Sequence, residues 1–109
     1  MKQIEYDMIK CVRNSCAKGL GNTKVFIGPG CDGSVVLFGN TIASFDGDLF
    51  VTICDGGWRT ATTKSRLNAL LNDTGYRIWQ RKGEWRLYYY GQDRGLFENG
   101  MTFYIGTTL

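Results

Sequence analysis

The chain has no histidine, a single proline and no apolar run long enough to cross a bilayer, and each shortage narrows what it can do. Without imidazole there is no Ser-His or Cys-His nucleophile pair and no usual general base near neutral pH. A zinc site would need all four sulfurs of Cys11, Cys16, Cys31 and Cys54, whose spacing includes no CxxC pair. The opening MKQIEYDMIK is broken by Lys2, Glu5, Asp7 and Lys10, so it is not a signal-peptide apolar stretch. The expectation is a cytosolic protein with reduced thiols, no membrane partner, no metal and no cofactor.

What is present points to strands. Fifteen glycines against one proline, with 14% aromatics, suit many tight turns. At 109 residues the chain reads as one domain over 1–109, with about two thirds of its unfolded surface hidden on folding. The net charge of +3 is uneven: from Trp58 onward eight Lys and Arg face four Asp and Glu, whereas residues 1–57 hold five against six. A positive back half suits an anionic partner or a solvated basic face.

Ile4, Met8, Cys11, Val12 and Cys16 recur at helical spacing, and Lys18-Gly19 offers a basic end and a glycine stop, which predicts a helix over 3–17. A partly ordered arm is the alternative, because Asn14 and Ser15 are poor helix formers. TKVFIG, SVVLF, TIASF and DLFVTIC then read as strands, with Gly39-Asn40 and Asp46-Gly47 as the turns of a meander. Registered by those turns, Leu37, Ile42 and Val51 share one face with Val35, Ser44 and Leu49, and Val36, Ala43 and Phe50 lie opposite. Both faces are substantially apolar, which predicts cover on both sides.

In GGWRTATTKSRLNALL, Thr62 or Thr63 can cap a helix that buries Leu67, Leu70 and Leu71 and ends by Gly75. Beyond it, a Lys82-Gly83 turn in YRIWQRKGEWRLYYYG pairs Tyr76 with Tyr89, Arg77 with Tyr88, Ile78 with Leu87, Trp79 with Arg86, Gln80 with Trp85 and Arg81 with Glu84. Tyr76, Ile78, Trp85, Leu87 and Tyr89 then face the core, while Arg77, Trp79, Arg81, Glu84, Arg86 and Tyr88 face out. LFENGMTFYI reads as a closing hairpin around Asn99-Gly100. The sum is an α+β protein: an antiparallel, strongly twisted, barrel-like sheet packed with one or two short helices.

Two surfaces are candidates. Lys64 and Arg66 in the first turn of a helix would oppose its dipole by about 0.3–1 kcal/mol each. With Arg59, Thr62, Thr63 and free amides they suit a phosphate or carboxylate, although Thr63 replaces the glycine of a Walker loop. A tolerated surface pair is the plain alternative. The second is the outer hairpin face, where Trp79 opposite Arg86 and Tyr88 opposite Arg77 suggest cation–π pairs. Such a face suits single-stranded nucleic acid, a protein hot spot, or a self-satisfied solvated surface. Asp32, Asp46, Asp48 and Asp55 flank glycine turns, so the carboxylates have structural explanations and an enzyme is not expected.

FGNTIA, GGWRTATTKSRLNALL and WQRKGEWRLY, in that order, resemble a recurring group of small tailed-bacteriophage proteins with a Gly-Asn turn, a Gly-Trp-x-Thr-x-Thr-Thr-Lys segment leading to Arg-Leu-Asn, and a tryptophan-bearing hairpin. The likeness spans roughly residues 21–104, most specifically Gly57, Trp58, Thr60, Thr62, Thr63, Lys64, Arg66, Leu67 and Asn68. It implies action in the host cytoplasm and brings no catalytic residues. It suggests a non-enzymatic binding protein, a host-takeover or anti-defence inhibitor of anti-CRISPR type. The partner is a host protein or an anionic ligand, nucleic acid or nucleotide. The expected surface is Trp58, Arg59, Thr62, Thr63, Lys64, Arg66, Arg77, Trp79, Arg81, Arg86 and Tyr88, and homodimerisation through a strand edge stays open.

Overall fold

The computed structural model describes residues 1–106. Helix α1 (Gln3–Arg13) starts with the Glu5 carboxylate accepting the Lys2 amide at 3.1 Å, and buries Glu5, Met8, Cys11 and Val12 along one stripe. It stops four residues short of the predicted end. Ser15 turns left-handed (φ 51°) and the Cys16 amide reaches back to the Cys11 carbonyl at 2.9 Å, with Ser15 to Val12 beside it. This double bond pattern closes a helix even without glycine. Lys18 and Gly19, read as the stop, instead begin the short strand β1 (Lys18–Leu20).

Strands β2 (Thr23–Ile27), β3 (Gly33–Leu37), β4 (Asn40–Phe45) and β5 (Phe50–Ile53) follow. With β9 (Met101–Tyr104) they form a six-stranded sheet of order β1-β2-β3-β4-β5-β9. Between β5 and β9 lie α2 (Ala61–Leu70) and a three-stranded sheet of β6 (Tyr76–Arg81), β7 (Glu84–Tyr89) and β8 (Gln92–Leu96). The α+β class therefore holds, with every strand pair antiparallel, but the sheets are two and not closed into a barrel.

The core lies between the inner faces of the sheets and the two helices: Val35, Leu37, Val51, Ile53 and Phe103 from one sheet, Ile78, Trp85 and Leu87 from the other, and Val12 and Leu67 from the helices. The meander register differs from the turn-based expectation. The first turn is Phe38-Gly39, both left-handed, so Leu37 pairs with Asn40, and a bulge between Val35 and Val36 then pairs Val35 with Ala43. Ile42 and Ala43 are consequently both buried, as a bulged strand permits, and Ala43 leaves the face shared by Val36 and Phe50. The second turn runs through Leu49 (φ 65°), with Asp46 accepting the Asp48 and Phe50 amides, so Phe45 pairs with Val51. Ser44 and Phe50 point outward, and this outer face of the sheet is open to water, contrary to the expected two-sided cover.

The 76–90 hairpin has the six residue pairs that its Lys-Gly turn predicts. The expected closing hairpin does not form. β8 continues the small sheet beside β7 and β9 crosses to pair with β5. Phe97, buried 5.6 Å from Trp85, and Asn99, whose side chain accepts the Asp55 amide at 2.8 Å, fix that crossing.

Candidate functional site

Helix α2 shows why its basic residues are there. Thr60, not Thr62 or Thr63, caps it: the hydroxyl accepts the Thr63 amide at 3.1 Å, and the Thr63 side chain is buried against it. Arg66 therefore sits in the second turn, beyond the reach of the dipole penalty. Arg66 is 3% exposed, and its guanidinium donates to Glu5 at 2.8 Å and to the Thr23 hydroxyl at 3.0 Å. Burial alone would push the Glu5 carboxyl up. Hydrogen bonds from Ser65, the Lys2 amide and Arg66, with the Arg66 charge, overcome that and hold it below the ordinary carboxylate range.

The predicted anion site is thus dismantled by its own residues. Arg66 and Thr63 are internal, and Arg59 is held at 3.1 Å by Asp55 while its guanidinium lies 5.5 Å from the Trp85 ring and 5.4 Å from Phe97. Asp55, despite its partial burial, is kept below the usual range by the Gly57 amide, Arg59 and Asn99. Trp58 stays 68% exposed and, with Thr62 and Phe38, borders a cleft of about 190 Å³. Lys64 borders a different hollow, with Glu5, Ser65, Asn68 and Arg77.

The outer face of the small sheet keeps its predicted residues at the surface. Trp79 is 52% exposed, and Arg77 and Arg81 are exposed on either side of it along β6. Arg77 lies over the Trp79 ring at 5.2 Å rather than over Tyr88, because residues two apart on a strand share a face. Arg86 does not stack on Trp79. It binds Asp93 of β8 at 2.7 Å and holds that carboxyl below its usual range, leaving its charge largely met within the sheet. Arg77, Trp79, Tyr88 and Gly91 together line a shallow depression of about 410 Å³.

Gly91 and Leu96 belong to this surface and were missed, since the Tyr90-Gly91 turn that brings β8 alongside carries an aromatic at a left-handed position (φ 46°) where Asn or Gly is the expected signal. Arg77 also lines the Lys64 hollow, so it joins the exposed flank of α2 to the Trp79 face. The Trp58 cleft is apart from this face: Arg59 packs on Trp85 and Phe97, which lie on the buried side of the same sheet.

Among the described residues, two helices and two antiparallel sheets define a small α+β protein, with arginines and half-exposed rings on the outer face of the small sheet. The chain belongs to the Kyanoviridae Gp96 protein family, whose model matches residues 1–104, and it is a phage protein. The match takes in α1, which the resemblance from residue 21 onward left out. No curated protein and no solved structure matches the chain. Among the described residues no helix is long and apolar enough to cross a membrane.

Proposed function

We propose that this phage protein is a non-enzymatic binding protein, a host-takeover or anti-defence inhibitor that acts in the host cytoplasm by contact with a host protein through the outer face of β6–β8. The observation that carries the reading is Trp79: a ring half in water, overlaid by Arg77 and flanked by Tyr88, on a rigid paired strand. Trp, Tyr and Arg dominate binding hot spots because they combine large apolar area with a polar handle, and a strand-borne ring is already ordered before binding. The non-enzymatic part is supported by what the carboxylates do instead. Glu5, Asp46, Asp55 and Asp93 each bind main-chain amides, and three of them also hold arginines.

A second reading, single-stranded nucleic acid, has its own support in two rings beside Arg77 and Arg81, the pattern on which bases stack. The internal pairing of Arg86 with Asp93 leaves the face only mildly basic, which favours protein. Tagged protein recovered from infected cells is expected to bring down one stoichiometric host partner, lost when Arg77 and Trp79 become alanine. Binding to DNA or RNA oligonucleotides that weakens steeply with salt, without such a partner, would replace this reading with the second.

A further inference from the structure

Beside the exposed Trp79 ring the chain leaves a cation unmatched. The Arg77 guanidinium lies 5.2 Å from the ring centroid, and the residue across the β6–β7 ladder from Arg77 is the uncharged Tyr88. Among the described residues the ion pairs are Arg13 with Asp73, Arg59 with Asp55, Arg66 with Glu5 and Arg86 with Asp93, so Arg77 enters none. Lys64 enters none either, although it stands in the first turn of α2, where the helix dipole opposes a cation.

Both cations border one hollow of about 350 Å³, together with Ser65, Asn68 and Asn72. The single carboxylate on its wall, Glu5, is spent on the interior: its oxygens accept from the Lys2 amide, the Ser65 hydroxyl and Arg66, and the residue is 2% exposed. The Asn68 amide is committed to Ile78. The hollow is therefore a positive concavity, and Arg77 lines both it and the Trp79 depression.

A partner that covers the Trp79 ring also covers the guanidinium lying over it. A cation taken out of water without an anion is costly, and this chain offers Arg77 none, so the partner has to bring the counter-charge. We propose that the host protein held by this face presents an acidic side chain that enters the Lys64–Arg77 hollow, beside an apolar group that packs on Trp79. Arg77 gives the carboxylate a planar fork of donors, and Lys64 adds a second charge. Residues two apart on a strand are about 7 Å apart, so the acid and the apolar group are near neighbours on the partner. A carboxylate is favoured over a phosphate backbone because acids interrupt the rest of the face: Glu84 stands opposite Arg81, and Asp93 holds Arg86. A nucleic-acid backbone follows an unbroken groove of positive charge. This inference rests on the reading of Trp79 as the contact and adds the chemistry of what meets it.

The probe is the host protein captured by the wild type, identified by mass and purified, with its affinity for each variant measured by titration calorimetry at about 0.1 M salt. Lys64→Gln is expected to weaken binding about tenfold and Lys64→Glu about a hundredfold. The melting temperature of Lys64→Gln is expected to stay unchanged or rise, because a cation leaves the positive end of α2, and a merely structural lysine would not separate these two readouts. Changing the partner's acid at the contact to lysine is expected to restore affinity for Lys64→Glu. If Lys64→Glu fails to fold, Lys64→Gln combined with Arg77→Gln decides in its place, with weakened binding again expected. A captured protein that is lost by Trp79→Ala yet binds the folded Lys64 and Arg77 variants as tightly as the wild type would overturn this inference and leave the Trp79 reading standing. No captured protein at all, or variants that lose affinity only for DNA or RNA oligonucleotides, would overturn both.

Discussion

Asn68 on α2 holds the main chain of Ile78 from both sides, its Nδ2 donating to the Ile78 carbonyl at 2.9 Å and its Oδ1 accepting the Ile78 amide at 2.7 Å. Ile78 lies on β6, the edge of the small sheet, so one side chain supplies what a neighbouring strand would. This blunts an edge that would otherwise invite pairing. Asn68→Ala leaves both groups unmet and is expected to destabilise the protein by about 1–3 kcal/mol. Hydrogen exchange at the Ile78 amide should accelerate more than at the central strand β7; equal protection before and after would show the edge is held by something else.

Glu5 and Arg66 form a buried ion pair that joins the two helices. Removing one partner leaves an uncompensated buried charge, so Glu5→Ala or Arg66→Ala should lose about 3–5 kcal/mol, a large part of a small domain's stability. Glu5→Leu combined with Arg66→Met should recover much of it, because the pair's own desolvation is removed as well. Chemical denaturation of the single and double variants checks this, and additive losses would contradict it.

The same carboxylate sets an acid limit. Its folded-state pKa is lowered, so its contribution is complete above the unfolded value of about 4.3 and disappears as pH falls through the folded value. Melting temperature should therefore fall with acidification below about pH 4, and Glu5→Gln, lower in stability at neutral pH, should show a shallower fall over that range. A Glu5→Gln profile parallel to the wild type would assign the acid sensitivity to other carboxylates.

Phe38 occupies the first position of a two-residue turn with φ 48°, where a bulky side chain is strained and asparagine is relaxed. Phe38→Asn is expected to raise the melting temperature, with a gain of about 1 kcal/mol. An unchanged or lower melting temperature would mean that the ring's contacts outweigh the strain.

Much of the small sheet was legible because Lys82-Gly83 is a turn whose chemistry dictates register, and alternation did the rest. The meander misled because its turns use Phe38 and Leu49 at positive φ, positions that propensity assigns to Asn, Asp or Gly, and because a bulge has no signature in alternation. The closing hairpin failed for a tertiary reason: Phe97 and Asn99 are drawn to Trp85 and Asp55, and no local rule contains that. At the site, ring exposure followed from strand parity. Arginine availability did not, since the partners of Arg66, Arg59 and Arg86 are 61, 4 and 7 residues away, respectively. Sequence shows a cation; only the fold shows whether it is already matched.

The central claim is that the partner is held by the Trp79 face while the buried Arg66 of α2 serves the fold. Parallel capture from infected cells by wild type, Trp79→Ala and the Glu5→Leu/Arg66→Met variant tests it most directly, with melting temperatures recorded for each. The account predicts that Trp79→Ala loses the partner at an unchanged melting temperature and that the interior variant keeps it. A partner retained by Trp79→Ala, or released by the folded interior variant, would contradict the account.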